Sequence, residues 1–422
     1  MQIGEVASFQ NGYAFKSKDF VQDGKYKIIK IKELKDGKVR FFNDSASVNV
    51  DDEWIIEKYI AEKGDVLFAL TGDPVNKNNP LSWVGRVSVY EDDQLALLNQ
   101  RVCKLVPKEG LNAKYIYYYF RAFDNFYALA SIAKGSASQA NISTKDIEAM
   151  EIALPSLNIQ NKIVSVLDSI EEKINQNNKI NKNLEQQAVV LFRSWFTTFC
   201  LSSNKPRVNS EFGEIPEDFA VVKVGSLPML VTDYVANGSF ASLKANVNLY
   251  QEPNYAYFIR NTDLKSGSFS VFVDQHSYEF LSKSTLYGGE IIISNVGDVG
   301  SVFLCPKLDG RMTLGNNIIM LRPEDDHLRY YLYIWFKYLQ GQALIQGIKG
   351  GSAQPKFNKT DFKNTSVLIP PKDILTRFHE TVAPMFEMIS QRQTEIAHLA
   401  DLRDTLLPKL MSGEIDVSDL NL

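Results

Sequence analysis

The stretch NIQNKIVSVLDSIEEKINQNNKINKNLEQQAVVLFRSWFTTF, residues 158–199, decides how the rest of the chain is read. Apolar residues recur in it at alternating gaps of four and three: Ile163, Leu167, Ile170 and Ile174, then Leu184, Ala188, Leu191 and Trp195. Asn177 and Asn181 fill the same series with polar side chains. A gap averaging 3.5 keeps one stripe facing a partner helix, which is the coiled-coil pattern. No Pro or Gly interrupts the stretch, and Pro155 stands just before it, where helices tend to begin. Such a helix is about 60 Å long at 1.5 Å per residue, too long for an ordinary globular helix. A second series, Phe378, Val382, Met385, Ile389, Arg392, Ile396, Leu399, Arg403, Leu406 and Leu410, repeats the gaps in the same order. The chain therefore carries two matching seams, expected to pair with each other.

Working outward, the whole chain is written twice. IGEV at 3–6 resembles VGSL at 224–227, and GDVLFAL at 64–70 resembles GEIIIS at 289–294. NQRVCKLVP at 99–107 resembles GNNIIMLRP at 315–323. GSASQANISTKDIEAMEIALP at 135–155 resembles GSAQPKFNKTDFKNTSVLIP at 351–370. From Gln139 and Gln354 onward the offset stays at 215, and it maps Ile163 on Phe378, Ile174 on Ile389 and Leu191 on Leu406. A period this long is a duplicated domain-plus-helix unit and not a solenoid. In the first unit 26–31, 66–70, 83–90 and 102–106 read as strands and 113–123 as a helix. In the second, 255–260, 291–294, 301–304 and 318–322 read as strands and 327–339 as an aromatic-rich helix.

The expected class is α+β, with two pseudo-symmetric globular domains (a small β-sheet plus helices) separated by two long helices in an antiparallel coiled coil. The divisions are a first domain at 1–153, a central long helix at 154–201, a linker at 202–219, a second domain at 220–369, a distal long helix at 370–412 and a tail at 413–422. The linker is placed by its polar, turn-forming composition, and the helix stop by Gly413. The first domain has no counterpart of GEIPEDFAVVKV, so its N-terminus is expected to be shortened relative to the ancestral unit. Reversed against each other, the seams bring Asn177 and Asn181 near Ile396 and Arg392. Polar residues there cost stability but fix register.

Composition bounds the function. The 422 residues are 45% hydrophobic and 23% charged, with net charge −4 and pI about 5.8. No apolar run reaches a membrane-spanning length and no signal peptide is visible, so no membrane partner and a cytoplasmic location are expected. Cys103, Cys200 and Cys305 are few, odd in number and far apart, which fits a reducing compartment and no metal site. No phosphate-binding loop, dinucleotide fingerprint, His-Glu-x-x-His or Asn/Asp-Pro-Pro-aromatic tetrapeptide occurs, and NVGDVGS at 295–301 reads as a turn. The four histidines are scattered. The chain thus reads as a recognition scaffold with no catalytic or metal residues and no cofactor of its own.

Two copies held by a rigid spacer suit a long periodic ligand, and double-stranded DNA is such a ligand. Residues 16–40 hold nine basic residues against four acidic ones, and Lys337, Lys349, Lys356, Lys359 and Lys363 cluster with only Asp361 in the second copy. Lysines neutralise phosphate, and Gln or Asn suits adenine edges. The candidate contacts are Lys16, Lys18 and Lys77, then Lys134, Ser136, Ser138, Gln139 and Asn141 in KGSASQAN, and Lys349, Ser352, Gln354 and Lys356 in KGGSAQPK. Each patch alone has a plainer reading, a solvated lysine face or a simple turn. Recurrence of the glutamine loop at equivalent places strengthens it. A two-lobed transcription regulator would need a basic recognition helix, which is absent, and a protein-interaction scaffold that never touches DNA suits the acidic total.

LPSLNIQNKIVSVLDSIEEKI and IPPKDILTRFHETVAPMFEMI at the two helix starts, GEIPEDF between the copies and LLPKLMSGEI near the end resemble the specificity subunit of type I restriction–modification systems. The resemblance covers nearly the whole chain. It implies two target recognition domains, each reading half of a split asymmetric DNA site, and a coiled coil that sets the gap. It also implies docking of two methylation subunits that use S-adenosylmethionine and of restriction subunits that use ATP and Mg. The subunit itself is implied to be non-catalytic. The family departs here at Ile159-Gln160 and Leu375-Thr376, where a Glu-Gln pair is usual.

Overall fold

The computed structural model describes residues 1–76, 79–136, 138–351 and 354–420; Lys77 and Ser352 lie outside these. The chain divides into two units, Met1–Ile174 with His398–Leu422, and Asn175–Ala397. The first is built around Val66–Ala69, a strand buried at every position. An unbroken apolar run of this kind needs cover on both faces. Alternate residues supply two cores: Val66 and Phe68 join one with Phe120 and Tyr115, while Leu67 and Ala69 join another with Tyr90 and Leu98. The strand lies third in a sheet ordered Ala7–Asn11, Val102–Pro107, Val66–Ala69, Val87–Val89, Lys38–Val39, Leu34–Lys35. A second sheet runs Ser47–Val48, Tyr26–Ile29, Ala96–Leu98, Ile60–Ala61, with its two central strands parallel.

The second unit repeats this arrangement. Its first sheet runs Met229–Asp233, Ile318–Pro323, Ile291–Ser294, Val302–Leu304. Its second sheet holds Ala256–Ile259 parallel to Arg311–Leu314, with Thr285–Leu286 at the edge. Again one strand feeds two cores, Ile291 and Ile293 on one side and Ile292 on the other. The correspondence reaches single contacts. A Cβ on Gly4 would lie 3.1 Å from the Glu148 Cβ, and one on Gly225 would lie 3.1 Å from the Lys363 Cβ. Residues 202–219, expected as a linker, instead contain the antiparallel hairpin Arg207–Ser210 and Gly213–Pro216. Its alternation buries Ile215, and Phe212 meets Trp335 edge-on. Polar turn formers masked those few apolar anchors.

The long helices are Leu157–Phe196 and Lys372–Ser412, the second closed by Gly413 at φ +77. Gln160, 1% exposed, ties the first helix start to its own unit: its amide donates to the Gly110 and Pro155 carbonyls and accepts from the Asn112 N–H. In the first unit Ile163, Val164 and Leu167 share a core with Leu407, Leu410 and Met411, and Leu406 packs at its edge. In the second unit Ala188, Val189, Phe192 and Phe196 share a core with Phe378, Val382 and Phe386. Within each unit rising numbers on one helix meet falling numbers on the other, so the pairing is antiparallel.

The seam departs from the 3.5 period toward the helix ends in the second unit. Phe192 and Phe196 are the buried residues there, while Leu191 and Trp195 sit at the edge. Likewise Phe386 is buried and Met385 and Ile389 are partly covered. Gaps of four (188, 192, 196; 378, 382, 386) follow the face of a globular helix, because Tyr331 of the domain packs on the same surface as the partner helix. Ile170 and Ile174 are buried, and Leu184, Arg392, Ile396 and Leu399 are half-buried. Asn177 is 2% exposed and donates from Nδ2 to Glu395 Oε2 at 2.9 Å, so its partner is the neighbour of the expected Ile396. The Asn181 Oδ1 is buried with no hydrogen bond among the described residues.

Candidate nucleic-acid interface

In the first unit, Lys134–Ser136 and Gln139–Asn141 form a short hairpin that pairs with Thr71–Gly72, just beyond the central buried strand. A Cβ on Gly135 would lie 2.1 Å from the Gln139 carbonyl oxygen, so the hairpin needs glycine there. Ala140 is buried, which turns Gln139 and Asn141 to the opposite face. The Thr71 hydroxyl donates to Asn141 Oδ1 at 2.9 Å, and Gln139 Nε2 reaches the same oxygen at 3.5 Å. The Ser136 and Ser138 hydroxyls lie 3.1 Å apart. Lys134 is exposed, 3.6 Å from the helix-capping Asp146.

Gln139 and Ser138 form one side of an open groove whose other walls include Thr71, Asp73, Ser82 and Arg86. Arg86 donates to the Leu81 carbonyl at 2.8 Å and to the Ile31 carbonyl at 3.2 Å. Burial pushes its guanidinium pKa down, against the opposing pull of Asp73 and Asp36. A fixed cation in a groove floored by amides and hydroxyls can hold an anion or a base edge. Sequence reading passed over Thr71 and Arg86. The one available signal was an arginine set inside the apolar run WVGRVSVY.

The second unit repeats the hairpin at the same place. Gly350 and Val296 both bridge to Lys356, and the Gly297 N–H donates to the Pro355 carbonyl at 2.8 Å. Gly351 has φ +88, and a Cβ on it would lie 2.5 Å from the Gln354 carbonyl oxygen, the counterpart of the Gly135 approach. Gln354 and Lys356 are exposed. Lys349 donates to Gln346 Oε1 at 3.1 Å.

The basic stretches are narrower than composition implies. Lys16 and Lys18 are exposed at the turn Ser17–Asp19, with no ion pair among the described residues. Lys32 pairs with Asp44 and Lys38 with Glu91, both at 2.9 Å. Lys337, counted from sequence with the basic cluster, is instead tied at 2.6 Å to Glu185 on the long helix. Lys359 pairs with Asp233 at 3.0 Å. Local acids absorb these charges, and only folding brings such pairs together.

Among the described residues no group of His, Cys, Asp and Glu could hold a metal ion, and no helix is long and apolar enough to cross a membrane. Cys103 and Cys305 are buried, and burial pushes both thiols well above their ordinary range.

A specificity subunit of the MjaIX type I restriction enzyme of Methanocaldococcus jannaschii is 28% identical over 76% of this chain and 73% of its own length. That of the EcoBI enzyme of Escherichia coli is 22% identical over 98% of this chain and 85% of its own. The crystal structure of the type I restriction–modification S subunit from M. genitalium superposes with a TM-score of 0.55 at 17% identity, covering 97% of this chain and 95% of that one. That likeness supports the fold alone. The sequence model of the type I restriction modification DNA specificity domain matches residues 1–186 and again residues 216–398. With most of its length taken up by these two copies, the chain belongs to the type I restriction modification DNA specificity domain family.

Proposed function

We propose that this chain is the DNA-specificity subunit of a type I restriction–modification complex, each unit reading one half of a bipartite asymmetric DNA site. The observation that carries this reading is the glutamine hairpin, built twice, at the same edge of the same two-sheet domain, with different side chains around it. Equivalent placement supplies two reading heads, and unequal side chains supply two different half-sequences. The contact residues we assign are Gln139, Asn141, Ser136, Ser138 and Lys134 in one unit and Gln354, Lys356 and Lys349 in the other, with Lys16 and Lys18 for phosphate. The domain divisions are those set by sequence, 1–153 and 220–369, with the long helices as spacer.

Each long helix, 40 and 41 residues, is unbroken. We take the pair as the ruler that fixes the gap between half-sites and as the dock for two methylation subunits and the restriction subunits. Catalysis, with its S-adenosylmethionine, ATP and Mg, belongs to those partners. The test is to co-express the chain with the methylation subunit of its system and map methylated adenines genome-wide. A split motif with a fixed gap is expected. A stable complex that methylates a continuous motif refutes the bipartite reading. Failure to bind a methylation subunit returns the chain to a DNA-binding or protein-interaction scaffold outside restriction–modification.

A further inference from the structure

The two hairpins differ in a correlated way. Asn141 and Lys356 occupy the same position, 215 residues apart, and the residues that bridge to them are Thr71 and Val296. The register is secure in both, because the next residues, Ile142 and Phe357, are each 4% exposed in the core. Positions 141 and 356 therefore present the same outward face.

Thr71 is 6% exposed, and its hydroxyl is spent on Asn141 Oδ1. Gln139 Nε2 approaches the same oxygen. With its carbonyl occupied twice, the Asn141 amide is left with its Nδ2–H donors to offer a ligand, and the neighbouring Gln139 with its Oε1 acceptor. A donor beside an acceptor matches the major-groove edge of adenine, which presents the N7 acceptor and the N6 amino donor. In the second unit the ammonium of Lys356 has three donors and no acceptor, matching the N7 and O6 acceptors of guanine. A lysine needs no hydroxyl to hold it in one orientation, and Val296 provides none. The exchange of Thr for Val thus accompanies the exchange of Asn for Lys for a physical reason.

We infer that residues 141 and 356 are base-discriminating positions, Asn141, oriented by Thr71, taking an adenine in one half-site and Lys356 a guanine in the other. This rests on the reading of both units as DNA-recognition units. Thr71 is a positioning residue in this scheme.

The experiment transplants each pair in the full chain, co-expressed with its methylation subunit, and maps methylated adenines. T71V/N141K is expected to change one position of one half-site from A to G, with a preference shift of about tenfold or more, the discrimination of one good base contact. V296T/K356N is expected to change G to A in the other half. T71V alone should relax the A preference without creating a G preference, which a purely structural role would not do. Unchanged motifs in both swaps, or one swap altering both halves, overturn the assignment. If a swapped complex is silent in methylation, selection from randomised duplexes by the purified complex reads the preference directly: a switched base in one half-site supports the assignment, and an unswitched one overturns it. A wild-type complex that yields no split motif defeats the underlying reading instead, and is distinguishable for that reason.

Discussion

Replacing Glu171 tests how the first unit grips the long helices. Its carboxylate accepts from Arg403 Nη1 at 2.8 Å and lies 3.5 Å from Arg121 Nη1, which also donates to the Tyr117 hydroxyl at 2.6 Å. Side-chain exposures are 14% for Glu171, 17% for Arg403 and 20% for Arg121. Burial alone would push both guanidiniums down, yet both are held above their ordinary value, Arg121 chiefly through Tyr117 and Glu171, and Arg403 through Asp404 and Glu171. Glu171→Ala leaves Arg121 and Arg403 largely out of water without their shared carboxylate, Arg403 keeping the exposed Asp404 and Arg121 the Tyr117 hydroxyl. Removing one partner of a buried pair costs about 3–5 kcal/mol, and residual solvent access favours the lower end, about 3 kcal/mol. For a unit of this size each kcal/mol moves Tm by about 2–4 °C, so the transition of the first unit should fall by about 6–12 °C. Differential scanning calorimetry of the full chain, with hydrogen exchange assigning the transitions, reads this. The transition of the second unit should not move. A shift below about 2 °C refutes the claim that this ion cluster clamps the helices.

The other expectations are smaller. Asn177→Leu should stabilise the second unit by about 1 kcal/mol in denaturant unfolding, because Glu395 is left exposed and a buried amide is replaced by seam-filling carbon. Pro384 lies inside the second long helix and has no N–H for the Glu380 carbonyl, so Pro384→Ala should raise stability by about 1–3 kcal/mol in the same assay. The Asp274 carboxyl, held down to about 2 mainly by its hydrogen bond to Ser277, with Tyr250 adding to it, caps Gln275–Phe280. Its folded pKa is depressed, so its contribution is present above about pH 4 and lost as pH falls toward 2; Asp274→Asn should flatten that part of the pH–stability curve. Glu171→Phe with Arg403→Ala should raise the dimer fraction in analytical ultracentrifugation.

What sequence made legible follows from which forces are local. The long helical runs, the Gly stop and the buried strand runs depend on neighbours a few residues away, and they appear where the pattern puts them; the heptad gaps hold at Ile163, Leu167, Ile170 and Ile174. The choice of Phe192 and Phe196 over Leu191 and Trp195 depends on a third surface, the domain helix bearing Tyr331, which no single-helix pattern contains. Lys337 looked like an open cation because Glu185 is 152 residues away. Thr71 and Arg86 became part of the candidate site only through strand pairing. The glutamine hairpins were visible because duplication placed the same motif twice, an internal comparison that supplies what one copy would not.

Duplication also poses a problem that the seam residues answer. Two helices with the same stripe could pair with copies of themselves on another chain as readily as with each other. The offset of 215 makes Phe386 the counterpart of Glu171 and Arg403 the counterpart of Ala188. In the first unit Glu171 meets Arg403, and in the second Ala188 and Phe386 belong to one apolar core. Pairing the first helix antiparallel with another first helix would set Glu171 against Ala188, and pairing two second helices would set Arg403 against Phe386. Either leaves a charge in the seam without its partner, a penalty of several kcal/mol per junction. The correct pairing alone satisfies both. The double substitution above removes that asymmetry and keeps the seam apolar at the cost of the Glu171–Arg121 contact, so self-association is its expected signature beside a lower stability of the first unit.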